Sequence, residues 1–134
     1  MRIVVDTGVF SASLSRRRRP RFEAQVSLMA GHQVFLAAVT LSELRYGALV
    51  AGWGETRRGH LDRSIRATTV VPVSDHLLWA VAELRFACRR LGHPLHDRAH
   101  ANDLWIAASA IHIGASLLTA DKVFADTPGL PLYE

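Results

Sequence analysis

Short apolar runs alternate with longer segments of helical periodicity along this chain of 134 residues, and this alternation constrains the fold more than any other feature. Strands that alternate with helices form a parallel sheet through right-handed crossovers. We therefore predict an α/β fold of three α/β/α layers around a central parallel sheet of four to five strands. The predicted strands are Arg2–Val5, Val34–Ala37, Thr69–Val73, Ser116–Thr119 and an edge strand near Leu130–Tyr133 that Pro131 interrupts.

The segments between these strands predict the helices, and the whole of residues 1–134 is expected to form one domain, because 49% apolar content suffices for a single core. One helix carries an apolar stripe from Leu77 to Leu91, on which Cys88 is expected to be a packed core thiol. A single cysteine suits a reducing compartment, and no apolar stretch approaches the roughly 18 residues of a membrane span. We therefore expect a cytoplasmic protein. The predicted helices are Thr7–Leu14, Arg21–Ala30, Thr40–Ala51, Glu55–Ala67, a helix from Ser74 or Asp75 to Leu91, and Ala101–Ile113.

Four carboxylates stand where strands are expected to turn into helices: Asp6, Glu43, Asp103 and Asp121. Ligands of doubly wound sheets bind beyond the carboxyl ends of the strands, so residues far apart in sequence share one pocket there. Acids crowded into such a pocket repel one another unless a cation joins them. The pattern predicts a divalent metal site of oxygen ligands, which suit Mg²⁺ or Mn²⁺.

Each acid also has an ordinary structural interpretation. Thr40-x-x-Glu43 has the form of a capping box, in which the glutamate reaches back to the first backbone N–H of a helix. Asp6, Asp103 and Asp121 are aspartates, a residue type preferred at helix N-caps. Such a cap contributes about 0.5–2 kcal/mol to stability. For one acid alone capping is the stronger interpretation, whereas the joint pattern favours a shared site.

Three histidines, His93, His96 and His100, precede Asp103 at a spacing compatible with zinc, with Asp97 nearby. The alternatives are a polar loop at the mouth of the pocket, or a role for His100 in RNA contact or proton transfer. No P-loop, dinucleotide-binding glycine pattern or serine-nucleophile elbow is present.

The basic residues favour a polyanionic partner, since the net charge is +4, the pI is near 10.2, and all 16 basic residues except Lys122 are arginine. Arginine suits bidentate contact with phosphate. Two alternatives explain the arginines without a polyanionic partner: they form a solvated basic face, or a GC-rich genome has enriched them.

The acids lie within four short motifs that occur in order along the chain: Val5–Phe10, Leu41–Ala48, Asn102–Ala108 and Leu117–Phe124. In these motifs the chain resembles the PIN-domain family and, within it, the VapC-type toxins of bacterial toxin–antitoxin pairs. The resemblance implies a metal-dependent endoribonuclease that leaves 5′-phosphate and 3′-hydroxyl ends. It also implies Mg²⁺ or Mn²⁺ bound by the four acids, with Glu43 completing the set or orienting the attacking water, and Thr7 and Thr119 as polar support.

The resemblance further implies a homodimer and a small VapB-like antitoxin that blocks the site. The alternatives are a catalytically silent RNA- or partner-binding PIN module and a PIN nuclease acting in RNA processing or on DNA flaps. The residues expected to guide the RNA backbone are Arg16, Arg17, Arg18, Arg19, Arg45, Arg57 and Arg58.

Overall fold

A parallel sheet of four strands lies at the centre of the computed structural model, which describes residues 1–134. The strand order is β3-β2-β1-β4, so β1 lies between β2 and β4 and the order reverses beside it. The α/β prediction with a parallel sheet is confirmed. The strands are β1 (Arg2–Val5), β2 (Gln33–Leu36), β3 (Thr69–Val70) and β4 (Ser116–Leu118).

Helices cover both faces of the sheet, because alternate strand residues point to opposite sides. The helices are α1 (Thr7–Ser13), α2 (Glu23–Ser27), α3 (Ala38–Val50), α4 (Glu55–Arg66), α5 (Asp75–Leu91) and α6 (Ala101–Ile113). Ile3 and Val5 pack into a core with α1 to α4, whereas Val4 packs into a second core with α5 and α6. The result is the predicted three-layer arrangement. No helix is both long and apolar enough to cross a membrane.

The stripe on α5 is confirmed for most of its length. Leu77, Leu84 and Cys88 are buried in the core, and burial raises the pKa of the Cys88 thiol, as expected for a packed and unreactive cysteine. Leu91, the last residue of the predicted stripe, is instead 69% exposed. The helix ends there, with Gly92 in the left-handed conformation at φ 70°.

Three of the predicted elements are shorter in the structure than the sequence indicates. Strand β3 ends at Val70, and one more backbone hydrogen bond follows it, from the N–H of Val71 to the Leu36 carbonyl. The pairing stops there because the next residue, Pro72, has no N–H. The predicted helix at Arg21–Ala30 is a 3₁₀ turn followed by α2, and only Val26 of α2 is buried. The predicted edge strand is reduced to one parallel bridge between Leu117 and Leu132.

Candidate functional site

The pairing of β1 with β4 brings Asp6 next to Thr119. Val5 lies opposite Leu118 in the parallel register, so the residues that follow them leave the sheet side by side. The Thr119 hydroxyl donates to Asp6 Oδ2 and accepts from the backbone N–H of Asp121 at 2.9 Å. One hydroxyl therefore connects two of the four acids at the point where the strand order reverses.

Glu43 projects from α3 towards the first residue of α1. Its Oε1 lies 2.7 Å from the Thr7 hydroxyl oxygen, which in turn lies 3.0 Å from the hydroxyl oxygen of Thr40. A carboxylate only accepts, so Thr7 gives its single proton to Glu43 and Thr40 supplies the proton between the two threonines. Thr40 is fully buried, and this relay fixes the orientation of Glu43.

Asp103 lies in the first turn of α6, where the helix dipole favours a negative charge. Its Oδ2 is 3.2 Å from Nδ1 of His100, and both side chains are partly exposed. Asp121 is the most exposed of the four acids, and its Oδ1 accepts from the N–H of Val123 at 2.9 Å.

The four acids act on one another electrostatically. Asp6 is 6% exposed, and its burial is the main cause that raises its pKa. Hydrogen bonds from Thr119 and Val9 lower this pKa, whereas the charges of Asp121 and Asp103 raise it further. Burial also raises the pKa of Asp103, aided by the charges of Asp121 and Glu43 and opposed by His100. Asp6 and Asp103 are thus each affected by the charges of two other acids, and a bound cation would relieve this repulsion.

The capping interpretation holds for two acids only. Asp6 is the N-cap of α1, with Oδ1 accepting from Val9 N at 2.8 Å, and Asp121 caps the 3₁₀ turn Lys122–Phe124. The predicted capping box is wrong, because α3 begins at Ala38 after an Ala37 cap and Glu43 is already in its second turn. Asp103 makes no cap hydrogen bond.

The donor set suits a hard cation, since carboxylate and hydroxyl oxygens are the ligands that Mg²⁺ and Mn²⁺ prefer. As the side chains stand, no three carboxylate, imidazole or thiol groups converge closely enough to chelate one ion. Mg²⁺ normally keeps several waters and takes one or two carboxylates together with substrate phosphates. A cation at these acids would therefore take water or phosphate oxygens as ligands in addition to the carboxylates.

The three histidines do not converge with one another or with Asp97 in the geometry of a zinc site. His93 is buried; its Nδ1 accepts from Leu95 N at 3.1 Å, and its Nε2 donates to the carbonyl of Ala125 at 2.8 Å. It therefore ties the segment before α6 to the segment after β4. His96 is partly exposed, and only His100 reaches an acid of the site.

A groove of about 1210 Å³ is lined from α1, α3 and α4 and reaches the acidic site at Thr7 and Glu43, the one acid of the four in its lining. We call it the arginine groove. Of the arginines expected to guide RNA, Arg19, Arg45 and Arg58 do not line it: Arg19 pairs with Glu23 at 3.3 Å, and Arg58 donates to the Trp53 carbonyl at 3.0 Å. The four that line it are Arg16, Arg17, Arg18 and Arg57.

Sequence reasoning misses two residues that have a place in this site. Thr40 is predicted to belong to a capping box, but its hydroxyl supports Thr7 instead. Trp53 has no predicted role, yet it lines the arginine groove beside Arg57. A tryptophan between two glycines at a helix end is the feature of the sequence that points to it.

Comparison with known proteins agrees with this architecture. The model of the PIN domain family matches residues 3–130. Ribonuclease VapC5 of Mycobacterium tuberculosis is 34% identical over 133 residues, which is 98% of this chain and 91% of that protein.

Two solved structures share the fold. VapBC2 from Rickettsia felis, bound to a DNA fragment from its promoter, superposes with a TM-score of 0.79 at 22% identity, covering 99% of this chain and 98% of that one. A toxin–antitoxin complex from Klebsiella pneumoniae has a TM-score of 0.64 at 23% identity, covering 98% of both chains. With the family model matched over residues 3–130 and a relative 34% identical along nearly the whole chain, the chain belongs to the PIN-domain family, in its VapC group.

Proposed function

We propose that the chain is a metal-dependent endoribonuclease and the toxin of a VapBC-like toxin–antitoxin pair. The observation that carries the proposal is the electrostatic coupling of Asp6, Glu43, Asp103 and Asp121 beside a groove lined by arginines. The ribonuclease named among the relatives covers nearly the whole chain, which supports the same activity.

We assign the four acids to a site for Mg²⁺ or Mn²⁺, with Asp6, Asp103 and Asp121 as the principal ligands. When bound, the cation offsets charge that develops on the phosphate and lowers the pKa of the attacking water. The chain itself contributes orientation: Thr7 holds Glu43 towards the site, and Thr119 holds Asp6. Glu43 completes the ligand set or accepts the proton of the attacking water.

We propose that the RNA backbone binds in the arginine groove. Arg16, Arg17, Arg18 and Arg57 line it, and Glu43 and Thr7 border it, so a phosphate chain lying in the groove leads to the acids. Contacts of this kind act through charge and carry no sequence information by themselves. The other three arginines predicted to guide RNA do not line the groove and contribute only to its positive potential at long range: Arg19, Arg45 and Arg58.

A protein partner is the second part of the proposal. We expect a small antitoxin that covers the acids, and a homodimer. Large apolar side chains that remain exposed on two helices support binding of protein partners. They are Tyr46, Leu49 and Val50 on α3, and Trp79, Phe86 and Leu91 on α5.

The activity is tested by cleavage of a structured RNA. We expect purified protein to cut it with Mg²⁺ or Mn²⁺, to stop in EDTA and to recover when Mn²⁺ is added. Asp103→Asn should lose activity, whereas Asp97→Asn, which removes an exposed carboxylate six positions earlier, should keep it. Full activity after chelation and dialysis would rule out the metal-dependent mechanism.

The toxin assignment is tested in cells. Induction of the wild-type chain should arrest growth, and Asp6→Asn or Asp103→Asn at equal expression should not. Equal arrest by all three proteins would instead indicate a silent module that sequesters RNA or a partner. A nuclease that cuts RNA but does not arrest growth would indicate a role in RNA processing.

A further inference from the structure

Trp53 is held rigidly at the junction between α3 and α4. Gly52 takes the left-handed conformation at φ 68°, and the N–H of Trp53 donates to the Ala48 carbonyl at 3.0 Å, which is the Schellman pattern at a helix C-terminus. The Trp53 carbonyl accepts from Arg58 Nε at 3.0 Å. Both backbone polar groups of Trp53 are therefore fixed before any ligand binds.

The indole ring of Trp53 is paired with Arg57. The guanidinium carbon lies 5.3 Å from the ring centroid, within cation–π range, and both side chains line the arginine groove. Trp53 packs partly against the core on one side, but part of its surface remains accessible in a groove that is otherwise rich in charge. The structure thus places a partly exposed aromatic ring among the four arginines that line the groove.

This combination matches single-stranded nucleic acid, which needs positive charge for its phosphates and flat surfaces for its bases. Resting on the function proposed above, we propose that the Trp53–Arg57 pair is a stacking subsite for one nucleobase of a single-stranded RNA segment bound in the arginine groove. The groove, at about 1210 Å³, exceeds the roughly 300–1,000 Å³ of small-molecule pockets, which favours a polymer segment.

The subsite implies a preference for unpaired RNA. Bases inside a duplex are already stacked on their neighbours and have no free face for the Trp53–Arg57 pair. A base in a loop or a single strand has such a face, and its adjacent phosphates lie within reach of the arginines that line the same groove. Stacking is also tolerant of base identity, so the subsite selects strand state more than sequence.

The test measures binding of a short fluorescent RNA to the full chain in EDTA, as a single strand and as the matched duplex. Trp53→Leu should raise the single-strand Kd by about 5-fold to 150-fold, the range expected for removal of one stacked base. The slope of log Kd against log salt should stay the same, because stacking neutralises no phosphate. Duplex binding should be unchanged.

Three variants separate stacking from other causes. RNA should quench the tryptophan fluorescence of the wild type. Trp53→Phe keeps an aromatic ring and should retain part of the affinity, but it should lose most of this quenching. Arg57→Lys keeps the charge but not the planar group and should weaken binding with the salt slope unchanged. Trp79→Leu removes a tryptophan that is 63% exposed on α5 and does not line the groove, and it should bind as the wild type does.

Equal single-strand affinity of the wild type and a folded Trp53→Leu variant would overturn the subsite and leave the groove to a protein partner. Equal weakening for single strand and duplex would also overturn it. These outcomes leave the proposed nuclease intact if the wild type still cleaves RNA with Mn²⁺. A wild type that neither binds nor cleaves RNA would overturn both proposals.

Discussion

Replacing Asp103 with asparagine removes one charge from the acidic site at almost constant size. The His100 imidazole keeps a polar partner, and the first turn of α6 keeps a polar side chain. Asp97→Asn is the matched control: it also removes one charge, from an exposed side chain whose Oδ1 caps a 3₁₀ turn through the N–H of Ala99 at 2.9 Å. Asparagine serves equally well as a cap, so this control should change stability little.

Without metal, we expect Asp103→Asn to be as stable as the wild type or more stable near neutral pH. Burial and the charges of Asp121 and Glu43 raise the pKa of Asp103 above its ordinary value of 3.8. A carboxyl whose pKa is raised by folding contributes stability below its unfolded pKa and loses that contribution as the pH rises through its folded pKa. The advantage of the variant over the wild type should therefore grow from pH 3.8 upwards and level off above the folded pKa.

With metal, the order should reverse. A cation present at about 100 times its Kd stabilises the native state by about 2.7 kcal/mol. At an unfolding entropy of about 2.1 cal/mol/K per residue, 134 residues give a Tm shift of about 3.5 °C per kcal/mol, or roughly 10 °C in total. If the variant binds the ion about 100-fold more weakly, it should gain only about 0.4 kcal/mol, or roughly 1.5 °C.

The measurement is a set of thermal melts of the wild type, Asp103→Asn and Asp97→Asn, each in EDTA and in a Mn²⁺ titration. The wild type and Asp97→Asn should show the full metal-dependent rise in Tm, and Asp103→Asn should show little of it. An identical rise in all three proteins would refute the assignment of Asp103 as a ligand. A lower Tm of Asp103→Asn in EDTA at neutral pH would refute the reasoning from its raised pKa.

Three further outcomes follow from the side-chain geometry. Thr7→Val should reduce RNA cleavage or Mn²⁺ affinity about 10-fold to 100-fold by releasing Glu43, whereas Thr7→Ser keeps the hydroxyl and should stay near wild type in cleavage kinetics. Replacing Arg16, Arg17 and Arg18 with glutamine should reduce the slope of log Kd against log salt for RNA binding by about 0.7 for each phosphate that is no longer neutralised. Arg19→Gln should leave this slope unchanged, because Arg19 pairs with Glu23 and does not line the groove. His93→Ala should lower the free energy of unfolding in urea by about 1–3 kcal/mol, equally with and without EDTA, because it leaves the buried N–H of Leu95 without its side-chain partner.

The sequence by itself determined the layer architecture and the neighbourhood of the acids. Alternating apolar runs and helices admit few arrangements, and the carboxyl ends of parallel strands share one edge, so the sequence alone predicts that Asp6 and Asp121 lie together. The register of β1 and β4 places Asp6 beside Thr119, as this reasoning requires. Burial of Cys88 follows from helical periodicity in the same way.

Tertiary structure alone decided how distant segments meet. The start of α3 at Ala38 converts Thr40 from a cap into the buried partner of Thr7, and local propensity does not fix a helix boundary to within two residues. Likewise, only the packing of α1, α3 and α4 separates the arginines that line the groove from those that do not, and places Trp53 among them. Side-chain direction depends on backbone placement several elements away, which periodicity and spacing do not encode.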